Sequence, residues 1–312
     1  MKRRGFLLGF HGLILCGCEP RKPPSDARRK GFPRLVERPE DLLPSGLDVV
    51  LRLDPGRLRG AAASSALAPW QEPLQRRLGG GEQASLLELL RVKAELIWVG
   101  LRGIPVAGHW DAVLVAQGNF LSFNPSSQGS SWERLPTVHP GRTVYERKGE
   151  VLRGVPSLLA LVENRLLVLA TPLEAPAVLR LLENGPASVG LTPPADGFLG
   201  LVAKPAVLAR AAQGTYPHLA SLLRALSTLE GVMEFGHGVL RVDLRLSTRT
   251  EAEALRVEQV LLGWKDVFSV EENPVANALA VGARVERDGP RSIRGKLCVE
   301  GEVIRRLAVA LG

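Results

Sequence analysis

Apolar and polar residues alternate along several short stretches of this chain, and this alternation predicts β-strands. From residue 47 to 53, leucine and valine take every second position. The stretches 95–101 and 111–118 have similar patterns and are separated by a glycine-containing segment that can turn the chain. A period of two places one side of a strand against a core and the other toward solvent. Further strands are predicted over 143–147, 158–162, 166–171, 198–203, 232–235, 239–246, 279–287 and 292–299.

Other stretches carry apolar residues three and four positions apart, which is typical of helices. A proline at the first turn supports the start of a helix at residue 173, since proline fits there without losing a hydrogen bond. Residues 121–141 contain serine, glycine and proline and are predicted to form a long loop, which in a compact domain is often functional or disordered. The predicted helices cover residues 55–58 with a continuation near 70–78, then 85–92, 173–183, 218–229, 250–264 and 302–311.

The order of these elements predicts an α+β fold. Strands joined by short turns, such as Asp288-Gly289, pair in antiparallel fashion, and helices then pack on one face of the sheet or sheets. The second half of the chain also resembles the first at an offset of 150 residues. We therefore predict two tandem related β-α-β-β-α units over residues 46–187 and 188–312. The matching positions are Pro44, Leu51, Pro55 and Leu58 with Pro194, Leu201, Pro205 and Leu208.

The N-terminus has a different organisation. Basic residues at positions 2–4 precede a short apolar segment, which ends in Leu15-Cys16-Gly17-Cys18. This resembles the lipobox of bacterial lipoprotein signal peptides. The resemblance implies that residues 1–17 are a signal peptide, that the leader is cut before Cys18, and that this thiol carries diacylglycerol. The alternatives are a signal peptide cut at an ordinary small-residue site and an uncleaved anchor. The apolar segment is shorter than the roughly 20 residues that a spanning helix needs.

Residues 18–45 are rich in proline and charge, and we predict a flexible tether there. The resemblance implies a protein that is anchored to a membrane of the cell envelope through its N-terminal lipid. Glu19 stands where an aspartate would indicate inner-membrane retention in Gram-negative lipoproteins, so the outer membrane is slightly favoured in such an organism. Beyond the tether, the chain resembles bacterial lipoproteins of unknown function.

The formal net charge of +8 is misleading when it is read over the whole chain. Basic residues are concentrated in the leader and the tether, so the remainder is close to neutral. This distribution, together with export, argues against nucleic acid as a partner. With Cys16 in the leader and Cys18 acylated, Cys298 is left alone and no intrachain disulfide can form. The alternation around Cys298 predicts an inward strand position and a buried, inert thiol.

The sequence contains no catalytic, cofactor-binding or metal-binding motif. We therefore predict no catalytic residues, no metal ligands and no cofactor. Ser130 or Ser131 with His139 on the long loop could form a serine–histidine pair, although loop serines are usually turn formers. Five aromatic residues fall in one third of the chain and could form a half-exposed ligand site or simply fill the core. They are Trp98, Trp110, Phe120, Phe123 and Trp132.

The sequence therefore favours a membrane-tethered lipoprotein with a non-enzymatic binding or structural role in the cell envelope, where a protein partner is possible. One alternative is an exported hydrolase that uses the loop at residues 121–141. Another is a subunit of a cell-surface assembly, in which an uncovered strand edge pairs with another chain.

Overall fold

The computed structural model describes residues 38–62, 82–103, 111–126, 131–136, 141–150, 154–185, 190–270, 274–304 and 306. The strands within these residues form a single antiparallel sheet of twelve strands. They are β1 (Val49–Leu53), β2 (Ala94–Arg102), β3 (Asp111–Gly118), β4 (Trp132–Arg134), β5 (Arg142–Arg147), β6 (Leu158–Val162), β7 (Leu166–Ala170), β8 (Leu199–Ala203), β9 (Leu226–Gly236), β10 (Val239–Thr248), β11 (Ala283–Arg287) and β12 (Ser292–Glu300).

The helices connect these strands and flank the sheet. A 3₁₀ turn, Pro39–Leu42, comes before β1. The α-helices are α1 (Pro55–Ala62), α2 (Glu82–Lys93), α3 (Ala175–Asn184), α4 (Pro205–Ala212), α5 (Pro217–Ala225), α6 (Glu251–Ser269) and α7 (Pro274–Gly282). Together with the antiparallel sheet, they confirm the predicted α+β fold. None of the helices in the described part of the chain is long and apolar enough to cross a membrane.

The order of strands in the sheet is β11-β12-β10-β9-β8-β1-β2-β3-β7-β6-β5-β4. The first strands of the two halves, β1 and β8, pair at the centre, where Leu51 lies opposite Leu201. From this pair outward, the order β1-β2-β3-β7-β6 in one half corresponds to β8-β9-β10-β12-β11 in the other. The strand–helix pairs β1–α1 and β8–α4 also have the same bounds at an offset of 150 residues. The two halves therefore share this order of five strands within one continuous sheet.

Apolar side chains cover both faces of the first half of the sheet. On one face, α3 and the 3₁₀ turn pack over strand residues such as Val50 and Val113. On the opposite face, α1 and α2 pack over residues such as Ile97. The helices α4 to α7 lie on this second face as well, because their apolar side chains contact Leu246, Ile293 and Val299. The predicted one-sided packing thus describes these helices, and α3 lies on the other side.

In the second half of the sheet, the face that corresponds to the α3 side carries charged side chains. Along β10, Arg241 and Arg245 are exposed, whereas Leu246 points into the core. Cys298 of β12 pairs with Arg241 and shares this wet face, so its thiol is exposed. The prediction of a buried thiol was therefore wrong. Leu297 and Val299 occupy the inward positions of β12, so the phase of the alternation is opposite to the predicted one.

Several predicted boundaries also differ from the structure. The helix predicted over 218–229 ends at Ala225, because β9 begins at Leu226 and pairs with β8 and β10. The strand predicted over 279–287 begins at Ala283, since the apolar residues before it belong to α7. The long loop contains the short strand β4. Leu42 is fully buried, so the folded domain includes the end of the segment predicted as a flexible tether.

Two of the predicted elements cannot be compared in full. The helical continuation near 70–78 lies outside the described residues. The C-terminal helix predicted over 302–311 is described only in its first turn, over residues 301–304 and at 306.

Candidate functional site

The candidate site lies where the first described residues enter the folded domain. The 3₁₀ turn packs against α3 and β3. Leu42 at its end and Leu47 beyond it are both buried in the core shared with α3. Because each of these side chains contributes on the order of 1.5–3 kcal/mol when it leaves water, this segment is held firmly against the sheet. The segment that leads into β1 is thus attached to the domain at a fixed position.

An ion pair with a buried carboxylate stabilises this attachment. Glu174 is at the start of α3 and is 1% exposed, and its carboxylate accepts hydrogen bonds from the Arg102 guanidinium at 2.5 and 3.3 Å. The same guanidinium donates to the backbone oxygens of Ser45 and Gly46, each at 3.1 Å. The hydrogen bond with Glu174 raises the pKa of Arg102 above its usual value. Arg102 of β2 therefore connects α3 to the linker before β1, which comprises residues 43–48.

A second ion pair lies beside the first at the same end of the central strands. The Asp48 carboxylate accepts from the Lys204 ammonium at 3.1 Å and from the backbone N–H of Gly103 at 2.8 Å. Burial alone would raise the pKa of Asp48, but the Gly103 hydrogen bond and Lys204 lower it below its usual value. Lys204 also donates to the oxygen of Gly46 at 3.3 Å. Gly46 has φ +79°, a conformation that favours glycine.

A cavity of about 430 Å³ lies between the linker and α3. Its walls combine apolar side chains with the guanidinium groups of Arg102 and Arg180. Within the described residues, Arg180 has no salt-bridge partner. Guanidinium groups can bind a carboxylate or phosphate but do not lose a proton at neutral pH. The Arg180 guanidinium could therefore bind an anion at the wall of this cavity. Its lining residues are Leu43, Pro44, Ser45, Arg102, Ala177, Arg180, Leu181, Asn184 and Gly185.

The structure describes only part of the proposed serine–histidine pair. Ser130 and His139 lie outside the described residues. The Ser131 hydroxyl accepts a hydrogen bond from the Arg147 guanidinium at 3.3 Å, and arginine cannot serve as a general base. Among the residues that the structure describes, no group of three or more histidine, cysteine, aspartate or glutamate side chains could hold a metal ion.

The aromatic residues fill the core rather than form an exposed ligand site. Trp98, Phe120 and Trp132 are 5%, 1% and 4% exposed. Trp98 packs on one face of the sheet, whereas Phe120, Phe123 and Trp132 pack on the other. Trp110 lies outside the described residues. The core alternative was therefore the correct interpretation for the four residues that can be compared.

An apolar patch near the end of α6 was not recognised in the sequence. Val267, Phe268, Val270 and Val281 are 60%, 44%, 82% and 69% exposed. The α7 helix packs beside α6, and the Asn277 amide donates to the backbone oxygen of Ser269 at the turn between them. Exposed apolar patches often mark surfaces that bind a partner. The sequence gives only a weak indication of this patch: Val267, Phe268 and Val270 are apolar residues that lie beyond the helix predicted over 250–264.

In its described residues, the chain is an α+β protein with a single twelve-stranded antiparallel sheet and a cavity beside the segment that leads into β1. Among solved structures, the chain is similar to the treponemal protein TP0453. Its crystal form III has 14% sequence identity and a TM-score of 0.52, over 88% of this chain and 98% of that one. Crystal form IV also has 14% identity, with a TM-score of 0.50 over 88% and 96% of the two chains. These comparisons show a shared fold. No protein-family profile matches the chain, and neither does any characterised protein sequence.

Proposed function

We propose that this chain is a membrane-tethered lipoprotein whose domain has a non-enzymatic binding or structural role in the cell envelope. The observation that carries the proposal is the Leu15-Cys16-Gly17-Cys18 motif at the end of a short apolar leader. Acylation of Cys18 would place more than one acyl chain in the bilayer. Since each buried methylene contributes about 0.8 kcal/mol, a single chain binds reversibly, whereas two or more hold firmly.

The attachment of the tether supports this proposal. The segment that follows Cys18 ends in the 3₁₀ turn, where Leu42 is fully buried. Arg102 and Lys204 both contact the oxygen of Gly46 a few residues later. These contacts fix the end of this segment on the sheet. Such an attachment suits a domain that is held close to a membrane.

Labelling of cells with a palmitate analogue tests the anchor directly. We expect the Cys18→Ala variant to lose the label and to leave the membrane fraction. The Cys16→Ala variant is a matched control, because alanine is common at that position of the lipobox and Cys18 stays in place. Cys298→Ala is the second control and should also keep the label. Unchanged labelling of the Cys18→Ala variant would contradict the proposal.

The apolar patch on α6 and α7 favours a binding role over a purely structural one. We expect Val270→Ser to reduce the recovery of envelope components that copurify with the anchored protein, because Val270 is the most exposed residue of the patch. Leu121→Ser provides a control, since Leu121 is also exposed, at 75%, but lies on a different loop. Equal recovery with both variants would argue against a binding surface at the patch.

A further inference from the structure

Among the strands that the structure describes, β11 is the last at one end of the sheet, and its outer edge pairs with none of them. Asp288 donates its backbone N–H to the oxygen of Ser292 at 2.9 Å, at the hairpin between β11 and β12. In an antiparallel pair, alternate residues direct both backbone groups to the same side. Residues 284 and 286 therefore bond to β12, whereas Ala283, Val285 and Arg287 direct theirs to the outer edge.

The charges on β11 are complementary to those of a second β11 strand that runs antiparallel to it. Arg284 and Glu286 are both exposed and flank Val285. Inside the molecule, Glu286 pairs with the Lys296 ammonium, whereas Arg284 lies directly opposite Lys296, a like charge. Within the described residues, Arg284 has no acidic partner. A strand with a carboxylate opposite Arg284 would supply one.

We propose that the β11 edge binds the β11 edge of a second copy of this chain, forming a two-fold antiparallel pair centred on Val285. In this register Ala283 lies opposite Arg287 of the other copy, so all three outward-facing residues gain backbone hydrogen bonds. Arg284 lies opposite Glu286 at non-hydrogen-bonded positions, where side chains approach most closely. The two-fold symmetry makes each of these contacts twice.

The opposite edge of the sheet lacks this complementarity. β4 is three residues long, and an antiparallel pair centred on its middle residue would place Glu133 opposite Glu133 of the second copy. Like charges directly opposite each other destabilise a strand pair. A pair of β4 strands in this register is therefore less favourable than the proposed pair of β11 strands.

A membrane anchor would favour the pairing of such a short strand, because confinement to a surface raises the effective concentration. That concentration argument alone rests on the proposed function. The pairing itself requires only the folded chain, so palmitate labelling and the experiment below can fail independently.

Disulfide cross-linking in membranes tests the register in the full chain, with Cys298→Ala as the background. Val285→Cys lies on the two-fold axis, where the paired Cα atoms would be about 5.5 Å apart, within the range for a disulfide. Mild oxidation should give a covalent dimer. Ala283→Cys is the matched control, since its two copies would lie about 14 Å apart along the strands. A dimer of the Ala283→Cys variant equal to that of Val285→Cys, or no dimer of Val285→Cys, would overturn the proposal.

Charge exchange tests the side-chain pairs in the Val285→Cys background. Arg284→Glu or Glu286→Arg alone should lower the rate of cross-linking by about tenfold, because two attractive cross-strand pairs become repulsive. The double exchange restores opposite charges and should restore the rate. Arg241→Glu, on the same face but inside the sheet, is a control that should have no effect. A double exchange no better than the single variants would refute the proposed register.

Discussion

Removal of the Arg102 side chain is the sharpest test of the attachment at the linker. Arg102→Ala leaves the Glu174 carboxylate, which is 1% exposed, without its ion-pair partner. The same change removes the hydrogen bonds to the backbone oxygens of Ser45 and Gly46. We therefore expect a clear loss of stability at neutral pH.

The size of this loss follows from the burial of the two partners. Breaking a fully buried pair costs about 3–5 kcal/mol, whereas an exposed pair is worth no more than about 1 kcal/mol. Glu174 is buried, but the Arg102 side chain is 42% exposed, so water can partly replace it. We expect the free energy of unfolding to fall by about 2–3 kcal/mol, between those two limits.

Urea unfolding followed by far-UV circular dichroism measures this change. Arg180→Ala is the matched control, because it removes an exposed arginine from the same cavity and should change stability by less than about 0.5 kcal/mol. The Arg102→Ala/Glu174→Gln double variant should be more stable than Arg102→Ala, since it no longer buries an unpaired charge. A loss no larger than that of Arg180→Ala, or a double variant less stable than Arg102→Ala, would refute this explanation.

Three further predictions concern other parts of the fold. The pKa of Asp48 is lowered in the folded state, so its charge stabilises the fold above the pKa of the unfolded state, near 3.9. Asp48→Asn should therefore lower the free energy of unfolding by about 1 kcal/mol at pH 7. The difference from wild type should disappear as the pH falls through the lower pKa of the folded state. In Gly200→Ala the new Cβ would lie 2.1 Å from the backbone oxygen of Pro194, so thermal unfolding should show that the free energy of unfolding falls by about 1–3 kcal/mol. Gly263 lies within α6 and has open space around it, so Gly263→Ala should raise the free energy of unfolding by about 0.5–1 kcal/mol. Cys298 is exposed and should react with a maleimide in the native protein, and absence of labelling without denaturant would contradict its position on the wet face.

Local patterns predicted several strands correctly, both where polar and apolar residues are mixed, as in β3, and where all residues are apolar, as in β6. The strands β3 and β6 have the predicted bounds, and β1–α1 and β8–α4 show the predicted offset of 150 residues. Two errors fall where a helix passes directly into a strand, at α7–β11 and at α5–β9. The run before Ala283 has no polar residue to indicate a period, so the end of α7 resembled a strand. The start of β9 followed a helix without a break, and only pairing with β8 and β10 defines its boundary.

The candidate site could not be predicted, because its residues are distant in sequence. Arg102 and Glu174 are 72 residues apart, and Asp48 and Lys204 are 156 apart. Each of these residues is an ordinary charged residue in its local context. The ends of β1, β2 and β8 bring them together, and that arrangement follows from sheet topology rather than from any local motif. The shared position of Asp48 and Lys204 at the centre of the sheet follows directly from the pairing of β1 with β8.

The sheet topology also separates the linker from the β11 edge. The linker enters beside the central β1–β8 pair, and β11 lies four strands beyond β8 at one end of the sheet. An edge pair between two copies would therefore extend the sheet without covering the linker, so both copies could stay tethered. The ion pairs at the proposed edge contact and at the linker also differ in their sensitivity to salt. The Arg284–Glu286 pairs are exposed and should weaken as ionic strength rises, whereas the Arg102–Glu174 pair includes a buried carboxylate and should persist. Cross-linking through Val285→Cys should consequently slow in high salt, under conditions in which the urea midpoint of the domain changes little.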